Sequence, residues 1–253
     1  MNPEPISEHN DTFTHYEAAQ LAQTLYGLHA TAQNLPGEYD HNFHLTTDDG
    51  AELVLKVMHA ERERAFVEMQ CAVLAHLAER VPSLRLQRVC PTRNGEWLAT
   101  VNTSDGTERL VWMLQYVPGD LFAKANPQTP EMLFSLGRLL GQVDAALADF
   151  AHPATQREMK WDLARAAWVK EYVPCIEDTS RCALIERLLQ RYETHVAPQL
   201  STLRKSIIHN DANDYNVIVN DAKIHPRSVI SVIDFGDMLH TCTVFEVAIA
   251  AAY

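Results

Sequence analysis

A chain of 253 residues and 28.5 kDa allows one or two domains and a sizeable buried core. Hydrophobic residues at 47% and charged residues at 21% exclude a disordered chain. The 33 acidic against 21 basic residues give a formal charge of −12, which argues against nucleic acid as a partner, because phosphate-backbone affinity needs clustered Lys and Arg. The same charge suits a cationic small substrate. No Lys or Arg precedes Lys56, so no secretory or mitochondrial leader is expected. No apolar run reaches the roughly 18 residues that span a membrane, and no membrane partner is expected. Five cysteines without a CxxC pair predict reduced thiols and a cytoplasmic protein.

Residues 1–13 read as a flexible tail. Thr14-His15-Tyr16-Glu17 fits a capping box, and Leu21, Leu25 and Leu28 continue a helical stripe that ends near Gly27. Leu35-Pro36-Gly37 is a breaker. Residues 42–47 and 51–58 alternate as two strands joined at Asp49-Gly50. His41 and His44, three apart on such a segment, fall on opposite faces, which argues against a zinc site. Residues 61–80 are helical, with Phe66, Met69, Val73, Leu74 and Leu77 at helix spacing, and Pro82 stops them. Strands are predicted over 85–89, 96–101 and 109–117, separated by Asn94-Gly95 and Asp105-Gly106 turns. After Pro118-Gly119 the pattern turns helical, over 130–150, 161–172 and 182–195, with β segments at 217–219 and 229–233. This shift places a domain boundary between 117 and 118, dividing an N-terminal lobe, 14–117, from a C-terminal lobe, 118–253.

The chemistry concentrates in residues 206–237. Asp211 follows a short apolar segment, so it lies where a buried strand emerges into a loop. Asn216 precedes the segment 217–219, and Asp234 ends the segment 229–233. A hairpin of those two segments puts Asn216 and Asp234 side by side at one rim. Two neighbouring oxygen ligands suit Mg2+, which keeps waters and phosphate oxygens for its other positions. Asp211 at the same rim can orient a hydroxyl or accept its proton, with Asn216 and Asp234 on the metal, as in phosphoryl transfer.

His209-x-Asp211-x4-Asn216 followed by Ile233-Asp234-Phe235-Gly236-Asp237 resembles the aminoglycoside phosphotransferase and choline kinase superfamily. Residues 35–44, Val67-Glu68-Met69-Gln70, Asn213-Asp214-Tyr215-Asn216 and 244–249 together resemble its hydroxylysine kinase subgroup, which also occurs fused to a class III aminotransferase. The resemblance covers about 14–253. It implies an α+β, two-lobed protein-kinase-like fold, with an N-terminal antiparallel sheet lobe and a mainly helical C-terminal lobe. The implied reaction moves the γ-phosphoryl of ATP or GTP, with Mg2+, to a hydroxyl of an amine-bearing small molecule, 5-hydroxylysine first. The alternatives are a kinase for an aminoglycoside, choline, ethanolamine or homoserine, and a non-catalytic nucleotide-binding regulatory module of an aminotransferase fusion.

By the resemblance, Lys56, a lone charge in an apolar strand, contacts the phosphates, and Glu68 pairs with it. An i, i−4 pair of Glu68 with Arg64 is the competing reading. Residues 114–117, with Gln115 and Val117, match the hinge beside the nucleotide base. His209 organises the loop around Asp211. Asp237 either supports the loop or meets the cationic substrate, and Trp161 and Asp162 are candidates for the acceptor side, though Asp162 also fits the first turn of a helix. Three departures stand out. No Gly-x-Gly-x-x-Gly covers the phosphates, so residues 35–42, including the Asn42 amide, take that place. Asn210 replaces the usual glycine, and Asn tolerates the left-handed backbone better than most residues. Family members continue with further helices past the point matching Tyr253, so part of the acceptor pocket is expected to lie outside this sequence.

Overall fold

The computed structural model describes residues 13–103 and 106–253. The expected tail, apart from Phe13, and Asp105 of the Asp105-Gly106 turn lie outside the described residues. The chain divides into two compact units, Met1–Glu68 with Gln87–Tyr116, and Met69–Leu86 with Val117–Tyr253.

The first unit is a helix on an antiparallel sheet. Helix α1 (His15–Leu21) starts at the capping box: Thr14 Oγ1 accepts from Glu17 N at 3.2 Å, and Glu17 Oε2 accepts from Thr14 N at 2.8 Å. A wider helical turn, Ala22–Tyr26, carries it to Gly27, whose φ of 75° ends it. The sheet contains β1 (Ala30–Leu35), β2 (His41–Thr47), β3 (Glu52–Val57), β4 (Val89–Cys90), β5 (Ala99–Asn102) and β6 (Glu108–Gln115) in the order β1-β2-β3-β6-β4, with β5 also on β6. Phe43, Leu45, Leu53, Leu55, Val57, Val111 and Met113 share one face, which packs on Ala18 and Ala22 of the helical segment. Each fully buried large side chain there is worth about 1.5–3 kcal/mol, and the small alanines let the helix approach. The opposite face carries Asn42, Lys56 and Trp112 in one cross-strand row. His41 and His44 lie on opposite faces: one ring meets Phe13, the other Tyr116. Strand β1 has no counterpart among the strands expected from sequence; its polar residues at a half-exposed sheet edge give little apolar alternation. The strand expected over 85–89 is reduced to Val89–Cys90.

Helix α2 (Arg64–Arg80) is divided between the units after Glu68. In the second unit its later turns meet α3 (Pro130–Leu147) and the residues after it. His76 Nε2 lies 2.8 Å from Ala146 O, and Arg80 pairs with Asp149. Thr129 caps α3, Pro130 opens it, and Met132, Leu136, Leu139, Leu140 and Val143 form its buried stripe. The segment expected as a helix over 161–172 is a run of tight turns, Leu163–Cys175, capped by Asp162 and closed by Pro174, which lacks an N–H. Helix α4 (Thr179–Arg191) follows its cap, Asp178. Five short strands complete the unit, β7 (Asp120–Leu121), β8 (Lys205–Ile208), β9 (Val217–Val219), β10 (Val229–Val232) and β11 (Leu239–Cys242), before α5 (Val244–Ala250). Of these, the sequence pattern predicts β9, β10 and β8, the short buried strand before Asp211. β10-β9-β7 form one sheet and β11-β8 another, all antiparallel. Among the described residues no helix is long and apolar enough to cross a membrane, and the five cysteines are unbridged.

Gly119 marks how tightly β7 meets β9. A Cβ there would collide with the Val219 carbonyl oxygen and lie 2.6 Å from Ile218 Cγ2, at a φ of 157°. A backbone carbonyl cannot yield as a side chain can. Gly119→Ala should cost about 1–3 kcal/mol, read as a lower urea midpoint at unchanged m-value.

Candidate active site

Strand β8 ends at Ile208 and hands the chain to a loop whose polar groups are nearly all committed. His209 is wholly buried. Its Nε2 donates to Ile233 O at 3.0 Å, and its Nδ1 accepts from Asp211 N at 3.3 Å, which fixes the tautomer. Burial pushes the imidazole pKa down to about 4, so the ring is neutral. Phe235 meets it edge-on, centroids 4.8 Å apart. Asn210 follows in the left-handed region at φ 64°. Its N–H donates to Glu246 Oε2 at 3.1 Å, and the His209 backbone also bonds this carboxylate.

The β9–β10 hairpin brings the two predicted metal residues together. The register pairs Val217 with Val232, and Ile233 N donates to Asn216 O at 2.8 Å, so Asp234 emerges beside Asn216. Asp234 adopts φ 62°; it and Asn210 are the only non-glycine residues with positive φ among those described. Strained backbone at two points of one loop pair is characteristic of functional sites. Asp234 Oδ1 accepts from Gly236 N at 3.3 Å, and Arg157 Nη2 donates to Gly236 O at 2.8 Å and Met238 O at 3.2 Å.

Asp211 is half-buried. Asn213 Nδ2 donates to its Oδ1 at 2.8 Å, and Asn216 Nδ2 to its Oδ2 at 2.6 Å and its main-chain O at 2.9 Å. Burial raises the Asp211 pKa and the charge of Asp234 adds to that, while the two amide donors oppose it. With Asn216 Nδ2 turned toward Asp211, its Oδ1 is left for a cation. That oxygen and the exposed Asp234 carboxylate fit the few protein ligands that Mg2+ takes.

In the first unit, Lys56 lies directly opposite Asn42 on one strand and Trp112 on the other, with Nζ 5.7 Å from the Trp112 ring centroid. Asn42 Nδ2 donates to Pro36 O at 3.1 Å, while its buried Oδ1 has no hydrogen-bond partner. Asp40 ties the 36–40 turn down, accepting from His59 N at 2.8 Å and Arg62 Nη2 at 3.1 Å. A tied turn thus stands in place of a glycine-rich loop. Glu68, expected beside Lys56, is paired along its own helix with Arg64 at 3.6 Å, both about half exposed. Gln115 ends β6, its N–H on Arg88 O at 2.8 Å. In the second unit, Val117 follows the division, Asp237 closes the turn after Asp234, and Trp161 is 61% exposed, edge-on to Trp168. Asp162 caps the next helical segment through Ala164 N at 3.0 Å and accepts from Thr241 Oγ1 at 2.8 Å.

Sequence reasoning assigns no role to Asn213, Glu246, Asp144 or Arg157. A lone acid within the apolar run 244–249 is the available signal for Glu246. Burial pushes its pKa up to about 7, with the charges of Asp144 and Asp211 adding and its two backbone donors opposing. Burial likewise raises Asp144 to about 6, against the pull of Arg204.

An antiparallel sheet unit and a second, largely helical unit with this loop pair make up the α+β kinase-like fold, and two solved kinases share it. A microcompartment-associated aminopropanol kinase superposes with a TM-score of 0.66 at 22% identity, over 93% of this chain and 74% of the other. Amicoumacin kinase, solved with AMP-PNP and Ca2+, gives 0.66 at 14% identity, over 94% and 68%. The chain belongs to the phosphotransferase enzyme family, whose profile matches residues 18–253, and it is a small-molecule phosphotransferase. Hydroxylysine kinase of Mus musculus is 30% identical over 264 residues, covering 95% of this chain and 69% of that protein.

Two buried groups give opposite pH dependences of stability. Glu246, raised from 4.5 to about 7, keeps its proton longer folded than unfolded, so its contribution falls as pH rises from 4.5 to 7, by up to about 3 kcal/mol. His209, lowered from 6.5 to about 4, makes stability rise between pH 4 and 6.5. Glu246→Gln removes the first effect and keeps the second. Across pH 4.5–7 the variant should gain about 3 kcal/mol relative to the wild type; urea denaturation over that range measures it, and a pH-independent difference would refute the buried carboxyl.

Proposed function

We propose that this phosphotransferase moves the γ-phosphoryl group of ATP or GTP to a hydroxyl of an amine-bearing small molecule, with 5-hydroxylysine as the first candidate. The observation that carries the reading is the convergence of Asp211, Asn216 and Asp234 at one rim. Asp211 orients the acceptor hydroxyl and takes its proton; a raised pKa suits proton acceptance better than an ordinary aspartate's. Asn216 Oδ1 and Asp234 would hold Mg2+, which would neutralise phosphate charge. Lys56 and Asn42 are assigned to the triphosphate, within a nucleotide-binding lobe over 14–117, and the base to the backbone of Gln115 and Val117. The second lobe, 118–253, supplies the catalytic groups.

For the acceptor, the 30% identity to hydroxylysine kinase supports a hydroxylated amino acid with an extra ammonium group. A net charge of −12 favours such a cation. Asp237, Trp161 and Asp162 are the candidates on the acceptor side, and Asp162 also caps its helical segment and accepts from Thr241 Oγ1. Reduced cysteines fit work in the cytoplasm.

A coupled nucleotide-consumption assay over 5-hydroxylysine, aminopropanol, ethanolamine, choline, homoserine and kanamycin tests the reading. Turnover of about 1–100 per second is expected on 5-hydroxylysine. Asp211→Ala should lower kcat about 1000-fold with nucleotide affinity unchanged. Tight nucleotide binding without turnover on any acceptor would instead leave a regulatory module.

A further inference from the structure

Asn213 sits at the centre of a closed set of hydrogen bonds that the roles of Asp211, Asn216 and Asp234 do not by themselves require. Its Oδ1 accepts from Tyr215 N at 2.8 Å and Asn216 N at 3.2 Å. A backbone N–H only donates, so an oxygen must face that pair. The amide therefore has one orientation, and its NH2 must point the other way, where Nδ2 meets Asp211 Oδ1 at 2.8 Å. Asn216 Nδ2 takes the other carboxylate oxygen at 2.6 Å. The Asp211 carboxylate is gripped on both oxygens and cannot turn about its Cβ–Cγ bond.

The turn over residues 213–216 does not itself demand an asparagine. Aspartate forms the same side-chain-to-backbone turn, accepting from the N–H groups two and three residues on. What aspartate lacks is a donor on its far side. There it would set one carboxylate oxygen against another. The choice of amide over acid at this position is thus explained by Asp211 and not by the turn.

We propose that Asn213 is a positioning residue for phosphoryl transfer: it locks the rotation of the Asp211 carboxylate so that a free lone pair faces the acceptor hydroxyl. This rests on the reading of Asp211 as the group that orients that hydroxyl. The lock acts on the chemical step. Nucleotide binding, assigned to Lys56, Asn42 and the hinge backbone, does not pass through it.

Asn213→Asp keeps the turn and replaces the donor with an oxygen that repels Asp211, so a loss of positioning shows as a fall in kcat without a rise in the KM for ATP. With Mg–ATP and 5-hydroxylysine, its kcat should fall about 100-fold, while the KM for ATP stays near the wild-type value. Asn213→Ala, which loses both turn and donor, should lose thermal stability as well. Wild-type kcat in Asn213→Asp overturns the proposal, as does a fall in kcat matched by an equal rise in the KM for ATP. If the wild-type enzyme turns over none of the acceptors, the functional reading fails first, and the grip itself is decided by NMR. In protein labelled with 15N-asparagine, the Asn213 side-chain amide protons should move upfield on Asp211→Ala. Unmoved signals would show that the bond to Asp211 does not exist.

Discussion

One uncharged imidazole organises the second unit's polar rim. His209 bridges two strand ends, bonding Ile233 O with one nitrogen and Asp211 N with the other. Ile233 in turn bonds Asn216 O. Three residues from separate stretches of chain are therefore set by a single side chain through main-chain atoms, which are the least mobile part of each. The arrangement requires the ring to be neutral, because a protonated ring has no acceptor for the Asp211 N–H. Burial supplies that neutrality. The ring is inert as an acid or base and is part of the frame.

Beneath this frame lies a second constraint of opposite chemistry. Glu246 is completely buried, yet it takes the backbone N–H groups that the left-handed turn at Asn210 turns inward. A left-handed residue exposes its amide in a direction no strand or helix partner can reach, so a side-chain acceptor has to come from elsewhere in the chain. A carboxyl serves in either protonation state, since both keep a lone pair for the N–H. Asp144, Asp211 and Glu246 crowd negative charge into the same region, and each has its pKa raised mainly by burial. Such a concentration is unfavourable for stability alone, and perturbed carboxyls of this kind cluster at functional sites.

The chemistry of this rim is legible in the sequence, and much of its support is not. Spacing alone places Asn216 and Asp234 at the mouth of one hairpin, because β9 and β10 are short, largely apolar and bounded by polar residues. The capping box at Thr14 and the Asp49-Gly50 turn are equally local, and local signals survive folding well. Strand β1 is hidden because edge strands bury little and need little alternation. β7 is two residues long, too short for a period to show, and β11, Leu-His-Thr-Cys, offers Leu239 as its one large apolar side chain. The parts played by Arg157 and Glu246 depend on partners 79 and 36 residues away, and no spacing rule reaches that far. Glu68 is the converse case: its helix neighbour Arg64 lies in plain view four residues back, and that local ion pair is the one the structure contains.

The use of amides around Asp211 follows from competing demands on one carboxylate. It must be held still, which needs donors on both oxygens. On the proposed reading it must also keep its charge and basicity, because an orienting group that has lost either does not draw on a hydroxyl proton. Lysine or arginine would hold it more strongly, but a cation within about 4 Å depresses a carboxyl pKa by roughly one to three units and would repel a metal bound alongside. Asn213 and Asn216 hold the carboxylate with neutral donors, so their lowering effect is outweighed by burial and its pKa stays raised. The oxygen of each amide is then left for a second role. Asn213 anchors the turn with it, and on the proposed reading Asn216 Oδ1 meets the metal. A group with a donor at one end and an acceptor at the other joins the Asp211 carboxylate to the loop without adding a charge to either.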